Sequence, residues 1–356
     1  MRKQRGVSLV ELMVAITIGL ILMTGVVQLF LSSRATFTTQ QAISRVQETG
    51  RLAMEFLGQD IRMAGYMGCM SRNLNYESAL KPTTSPAFDF GAAIEGIDDY
   101  PDAQQTGYPD ALEGTDMVVV RSANGSGVGV ISNNNGAQLN VDYTGKVADA
   151  CRDSGGGTSD MLSGLCEEDI LVISNCARAM VFQATELQET AGGGGTTASV
   201  NVVHAQNTDN PGNDFSSWGG SSGAMVRFGP ESEVIKMTTT FYYVANNGAD
   251  RPSLYQKVGN APEEELLTGV EDMQIFYGLD SNDDGVPNNY VDADNVSDWE
   301  LVLSARVELL VQSSEDNVLA ESQSYTFPTG AASTPATDRR LRQVFVNTIG
   351  IRSRLP

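Results

Sequence analysis

The sequence predicts an α+β protein: one long N-terminal helix carrying a large antiparallel β-rich head. Three observations predict it. Residues 7–31 form an apolar run with a single charge, Glu11. An amphipathic helical pattern continues without a break to about residue 65. Beyond Tyr66 the sequence turns to short β-branched and aromatic runs separated by Gly-, Asn- and Asp-rich stretches, the pattern of strands and turns.

As a helix, the 25 residues Val7–Leu31 would span about 37 Å, enough to cross a bilayer. A secretory signal has a shorter apolar core followed by small residues at a cleavage site. Here the run ends LFLSSRATF, so the segment reads as an anchor that stays with the protein. Arg2, Lys3 and Arg5 precede it and the acids follow almost entirely after it, which orients the N-terminus to the cytoplasm and the head outward. In SSRATFTTQQAISRVQETGRLAMEFLGQDIRMAGY, Ile43, Val46, Ala53, Leu57, Ile61 and Ala64 recur at helical steps, predicting an apolar stripe that carries the head. Gly50 and Gly58 each lower helix propensity by about 1 kcal/mol relative to Ala. Gly65 fits a C-terminal cap.

The head of 291 residues, 66–356, can bury a sizeable core. Strands are expected at 115–123, 167–175, 179–187, 199–205, 234–246, 271–279 and 301–313, with RQVFVNTIGIRS as a last one. GGGG at 192–195 reads as a hairpin loop, and Glu263, Glu264 and Glu265 as a solvated turn or helix start. A formal net charge of −21 repels phosphate backbones and argues against a nucleic-acid partner.

Cys69, Cys151, Cys166 and Cys176 all lie in the exported part, where disulfides persist. Cys166 and Cys176 flank a segment that reads as a strand; extended, it would hold their sulfurs about 30 Å apart, too far for a bond. Two connectivities remain, and Cys151–Cys166 with Cys69–Cys176 is the expected one.

The start of the chain carries a resemblance. Gly6 followed by VSLVELMVAITIGLIL, with Glu11 fifth after the glycine, resembles the type III signal of type IV pilins and pseudopilins. The resemblance implies cleavage by a prepilin peptidase between Gly6 and Val7 and methylation of the new terminus. Val7 stands where most members have Phe. Cleavage would leave an ammonium at Val7 four residues from the Glu11 carboxylate, a charge pair that one subunit can exchange with its neighbour in a low-dielectric filament core. RLAMEFLGQDIRMAGYMGC, EDILVISNCARAMVFQAT and LLTGVEDMQIFYGLDSNDDGVPNNYVDA resemble the PilW group of minor type IV pilins, and are also similar to J-type minor pseudopilins of type II secretion. That resemblance implies a type IV pilin-like fold divided into a leader (1–6), a membrane and polymerisation helix (7–31), its amphipathic half (32–65) and a β-rich head (66–356). It also implies a non-enzymatic role in initiating pilus assembly at or near the fibre tip. The partners implied are other minor pilins, the major pilin, the prepilin peptidase, the inner-membrane assembly platform and a tip adhesin. The alternatives are a type II pseudopilin and a membrane-anchored binding protein that never polymerises.

One cluster resembles a ligand site. Asp280, Asn282 and Asp284, with Gly285 next, occupy the first, third, fifth and sixth positions of a calcium loop. The twelfth position is Val291, and Asp292 follows one residue late. Calcium is therefore the candidate cofactor here, against a plain strand-to-strand turn. The single histidine, His204, lies in an alternating apolar stretch and reads as a packed strand residue rather than a base; no P-loop or zinc spacing points to an enzyme.

Overall fold

The computed structural model describes residues 8–69, 75–82, 85–135, 137–152, 156–192, 197–207, 211–214 and 228–355. Gly6, Val7, the basic leader and most of the 192–195 glycine run lie outside them.

Helix α1, Leu9–Met63, runs 55 residues. Ala, Leu, Met, Gln, Arg and Glu dominate its second half, all good helix formers. It stops where anticipated. Ala64 leaves helical geometry, Gly65 adopts φ +70°, and the Tyr66 amide closes onto the Met63 carbonyl at 3.0 Å. The Gly65 amide then donates to the Arg121 carbonyl, handing the chain to the head.

The head is β-structure in chain order: β1 Asn75–Ser78, β2 Ile94–Ile97, β3 Met117–Asn135, β4 Gln138–Asp142, β5 Lys146–Arg152, β6 Thr158–Leu162, β7 Ile170–Asn175, β8 Arg178–Gln183, β9 Glu186–Ala191 and β10 Thr197–Val203. There follow β11 Glu233–Asn246, β12 Pro252–Val258, β13 Glu264–Thr268, β14 Val270–Leu279, β15 Asn289–Val291, β16 Val302–Gln312, β17 Ser324–Thr326, β18 Ser333–Pro335 and β19 Arg342–Gly350. The larger sheet runs β1-β8-β7-β11-β3-β4-β10-β9, with β2 on β3 and β12 joining β11 to β13. A four-stranded sheet, β15-β14-β16-β19, is antiparallel throughout. In the larger sheet the β1–β8 pair is parallel.

Each expected strand is present, with instructive differences. The 115–123 strand continues to residue 135, because past a register shift around Gly125 (φ +101°) it still pairs β11 at Val128 and Gly129 and then pairs β4 from Val130 on. The single strand expected over 179–187 is two, since the chain corners at Ala184-Thr185. There the Ala184 amide donates to Asp169 and the Thr185 amide to Val203, shifting the pairing from β7 to β10. Glu264 and Glu265 begin β13 rather than a turn or helix.

Both disulfides have the expected connectivity: Cys69–Cys176, Cα–Cα 4.9 Å, and Cys151–Cys166, Cα–Cα 5.6 Å. The first ties the chain leaving α1 to the β7–β8 turn. The second closes the β5–β6 ribbon, which the sequence presents only as a Gly-rich loop.

The main core forms where α1 lies on the four-stranded sheet. Val46, Ala53, Leu57 and Ile61 of α1 are at most 1 % exposed and pack with Met273, Ile275, Val307, Leu309, Val311 and Ile349. Burial of each large aliphatic side chain stabilises the contact by about 1.5–3 kcal/mol.

Candidate functional site: the assembly helix and its seat

The helix divides into a free half and a seated half. From Leu9 to Leu31 its large apolar side chains are exposed, Leu9 and Leu29 at 73 %, and no residue is buried before Ala42. In water such a surface is costly; in lipid or against other helices it is favourable. The hydroxyls along this half are satisfied internally, as the surroundings demand. Thr17 donates to the Met13 and Val14 carbonyls and Thr24 to that of Leu20.

Glu11 is the one acid in the first turn of α1, three residues after the N-cap Ser8. A carboxylate there is favoured by the helix dipole, and Ser8 makes no side-chain capping bond. Its expected partner, Val7, lies outside the described residues.

The seated half has a stripe of buried residues at Ala42, Val46, Gly50, Ala53, Leu57, Ile61 and Ala64, stepping by four or three throughout. This corrects the sequence expectation at one end. Ile43 is 37 % exposed, and Ala42 holds the stripe position. It also explains Gly50. A Cβ there would lie 2.3 Å from the Phe345 ring of β19, so the helix approaches the sheet only because that position has no side chain. Sequence reasoning treated Gly50 as a propensity defect, although its register with Val46 and Ala53 was the available signal.

Polar contacts fix the helix in its seat. Asp60 accepts from the Tyr242 hydroxyl at 2.9 Å, and the Gln256 amide donates to that same oxygen at 2.7 Å, linking α1 to β11 and β12. Burial raises the Asp60 pKa, and the tyrosine bond opposes the rise. Ser353 donates to the last helical turn at the Ala64 carbonyl, 2.7 Å. Thr39 donates to Val318 at 3.0 Å, the first tie between helix and head. The Arg45–Glu315 pair is exposed on both sides, and such pairs contribute little. At the β14 end, buried Asp116 accepts from the amides of Ile275 and Asp99 at 2.7 and 3.1 Å, joining the two sheets.

The DSNDDG segment connects β14 to β15. Asp280 is fully buried and its two carboxylate oxygens accept from the amides of Asp284 (3.1 Å) and Gly285 (2.9 Å). Asn282 donates to Asp284 at 3.0 Å, and Asp283 and Gly285 adopt positive φ. The structure thus gathers Asp280, Asn282 and Asp284 but not Asp292. Strand β15 runs back along β14, with Asn289 opposite Leu279 and Val291 opposite Tyr277, which carries Asp292 about 13 Å down the strand. There its carboxylate caps residues 293–295 by accepting from the Asn295 amide. Among the described residues, no group of three or more His, Cys, Asp and Glu side chains is placed to hold a metal ion.

His204 is buried against Phe182, ring centroids 5.4 Å apart, and burial lowers its pKa to about 3. It is a neutral packing residue.

A free apolar helix half with one carboxylate is thus fused to the head through a dedicated sheet. Residues 241–353 match the family model described as type IV pilus-assembly protein W, and residues 1–27 match the prokaryotic N-terminal methylation motif. The chain matches a PilW-type pilin with a prepilin signal. No curated protein and no solved structure matches. The PilW segment begins within β11 and includes β12 to β19, so it contains the four-stranded sheet on which α1 rests. Its signal and apolar helix fit an inner-membrane-anchored pilin that ends up in the pilus.

Proposed function

We propose that this type IV pilus-assembly protein is a minor pilin that helps initiate the fibre and is built in at or near its tip, supporting adhesion or twitching motility. The observation that carries the reading is the division of α1: a free half, exposed and apolar with Glu11 in its first turn, and a seated half fixed by a continuous buried stripe. Such a molecule presents a polymerisation surface rigidly coupled to a head. Prepilin peptidase cuts between Gly6 and Val7. The assembly platform of the inner membrane then extracts the helix, and the Glu11 carboxylate of one subunit pairs with the Val7 ammonium of its neighbour. An unpaired charge in the helix bundle is strongly disfavoured, so this pairing sets register. Other minor pilins and the major pilin supply the neighbouring helices, and the head contacts a tip adhesin. Its role is structural, with no catalytic residue assigned.

Glu11→Ala, with processing checked by N-terminal sequencing, tests this. Mature protein beginning at Val7 with piliation and motility lost is the expected result. Normal piliation in the correctly processed variant would overturn the assembly role, and a mature chain beginning elsewhere would overturn the processing site.

A further inference from the structure

The four-stranded sheet under α1 ends in an open edge. Strand β19 pairs with β16 on one side, in unbroken register from Ser304↔Gly350 to Gln312↔Arg342. Among the described residues no strand is hydrogen-bonded to its other edge, and the β17–β18 ribbon approaches it at Arg342, which stacks on Tyr325. The direction of each backbone group follows from the two ends. The Leu341 carbonyl and the Ile351 amide bond inward, to Ser313 and Leu303. Arg342 points the opposite way. Its amide donates to Gln323 Oε1 at 3.0 Å and its carbonyl accepts from Gln323 Nε2 at 2.9 Å, so one side chain imitates a paired strand at the first outward position. In an antiparallel ladder the sense alternates. The amides and carbonyls of Val344, Val346 and Thr348 therefore face outward. No partner for these backbone groups is found among the described residues.

Most proteins blunt such an edge with proline, lysine or a covering loop. Here the stretch Gln343–Ile349 has none of these blocking residues, and Val346 is 50 % exposed. Beside it lies an open groove of about 610 Å³, walled by Arg51, Met54, Gly58 and Arg62 of α1 on one side and Phe345 and Val346 on the other. The groove is as long as a short strand. Arg51 and Arg62 stand eleven residues apart, about 16 Å along the helix, which matches about five residues of extended chain. Neither arginine has an ion pair among the described residues, although the whole chain carries a net charge of −21. Glu55, between them on the same wall, is exposed.

We infer that the outer edge of β19 is a strand-accepting site, which takes an extended acidic segment of a different protein as a fifth strand of the sheet. Main-chain bonds to Val344, Val346 and Thr348 supply register. Alternate side chains of the incoming strand enter the groove, acidic ones toward Arg51 and Arg62 and an uncharged or basic one opposite Glu55. Recognition by strand addition uses backbone bonds for affinity and alternate side chains for selectivity. The site is separate from the free half of α1 and does not depend on the assembly role.

The test pans the full chain in mild detergent against a displayed library of peptides about ten residues long. Selected peptides should alternate apolar and polar residues and be enriched in Asp and Glu. In hydrogen exchange a bound peptide should slow the amides of Val344, Val346 and Thr348 while those of Phe345 and Asn347 stay as before. Val346→Pro removes one outward amide at an edge position where proline is tolerated, and should weaken binding at least about tenfold, the equivalent of one lost interaction of about 1.4 kcal/mol. The double change Arg51→Glu with Arg62→Glu, on the exposed helix wall, should reverse the selection toward basic peptides even if Val346→Pro fails to fold. Peptides that leave the three amides unprotected, or a selection indifferent to charge, would overturn the site. A concentration-dependent dimer of the full chain that Val346→Pro abolishes would overturn the assigned occupant in favour of a second copy.

Discussion

Two glycines on the same helix should respond to the same substitution with opposite sign. Gly50 and Gly58 are both buried in the seated half of α1, and replacing either by alanine should add about 1 kcal/mol through backbone propensity alone. At Gly58 the added methyl meets Ile349 Cδ1 at 3.9 Å, an ordinary contact, so Gly58→Ala should be stabilising by about that amount. At Gly50 it meets three atoms of the Phe345 ring at 2.3, 2.4 and 2.5 Å, more than 1 Å inside normal carbon separation. Relief requires either lifting α1 from its seat or swinging the ring out. The first strains a stripe held by Val46 and Ala53, and overpacking of this kind costs about 1–3 kcal/mol. The second gives up burial of an aromatic side chain, a loss of about 1.5–3 kcal/mol when complete. Net of propensity, Gly50→Ala should destabilise by up to about 2 kcal/mol, leaving the variants about 1–3 kcal/mol apart. Thermal unfolding of the full chain in mild detergent, followed by near-ultraviolet circular dichroism, reads the difference directly. Adding Phe345→Leu to Gly50→Ala should recover part of the loss. If Gly50→Ala stabilised the protein as much as Gly58→Ala, the close approach of helix and sheet at that position would be refuted.

Opening the Cys69–Cys176 bond by paired serine substitution should cost about 2–5 kcal/mol of stability, because it frees a loop of 107 residues; a melting temperature equal to that of the parent would contradict this. Stability should fall as pH rises from about 4 to 8, since burial pushes Asp116 up to about 8 and Asp272 up to about 7. Their protonated forms are retained in the folded head, so their contribution is fully present below the ordinary carboxylate range and lost as pH climbs through the raised values. Asp116→Asn should flatten that profile, and an unchanged slope in pH-dependent denaturation would count against it. Asp280→Ala should destabilise the head by about 1–3 kcal/mol by leaving two loop amides unpaired. The loss should be the same with and without millimolar calcium, whereas a calcium-dependent melting shift abolished by this substitution would show that the loop binds the ion.

What the sequence by itself determined is what local physics controls. The uninterrupted apolar run with one acid, the helical stripe, the Gly65 stop and the alternating runs that became β7, β11, β14 and β16 are each set by residues within a turn or a strand of one another. Of the disulfide pairing, only one exclusion was legible for the same reason: an extended segment between Cys166 and Cys176 rules out that bond by length, and the structure decides between the two connectivities that remain. Strands such as β5, β6, β12 and β17 were not legible, because their residues read as turns until a partner strand satisfies their backbone groups. Tertiary structure alone decided that Gly50 is a point of contact, that Asp280 spends its carboxylate on its own loop, and that Asp292 is carried away along β15. It also decided that β19 is the last strand of its sheet. The Gly50 contact joins residues nearly three hundred positions apart in the chain, whereas Asp280 and Asp292 are placed by how their loop turns and how β15 pairs with β14.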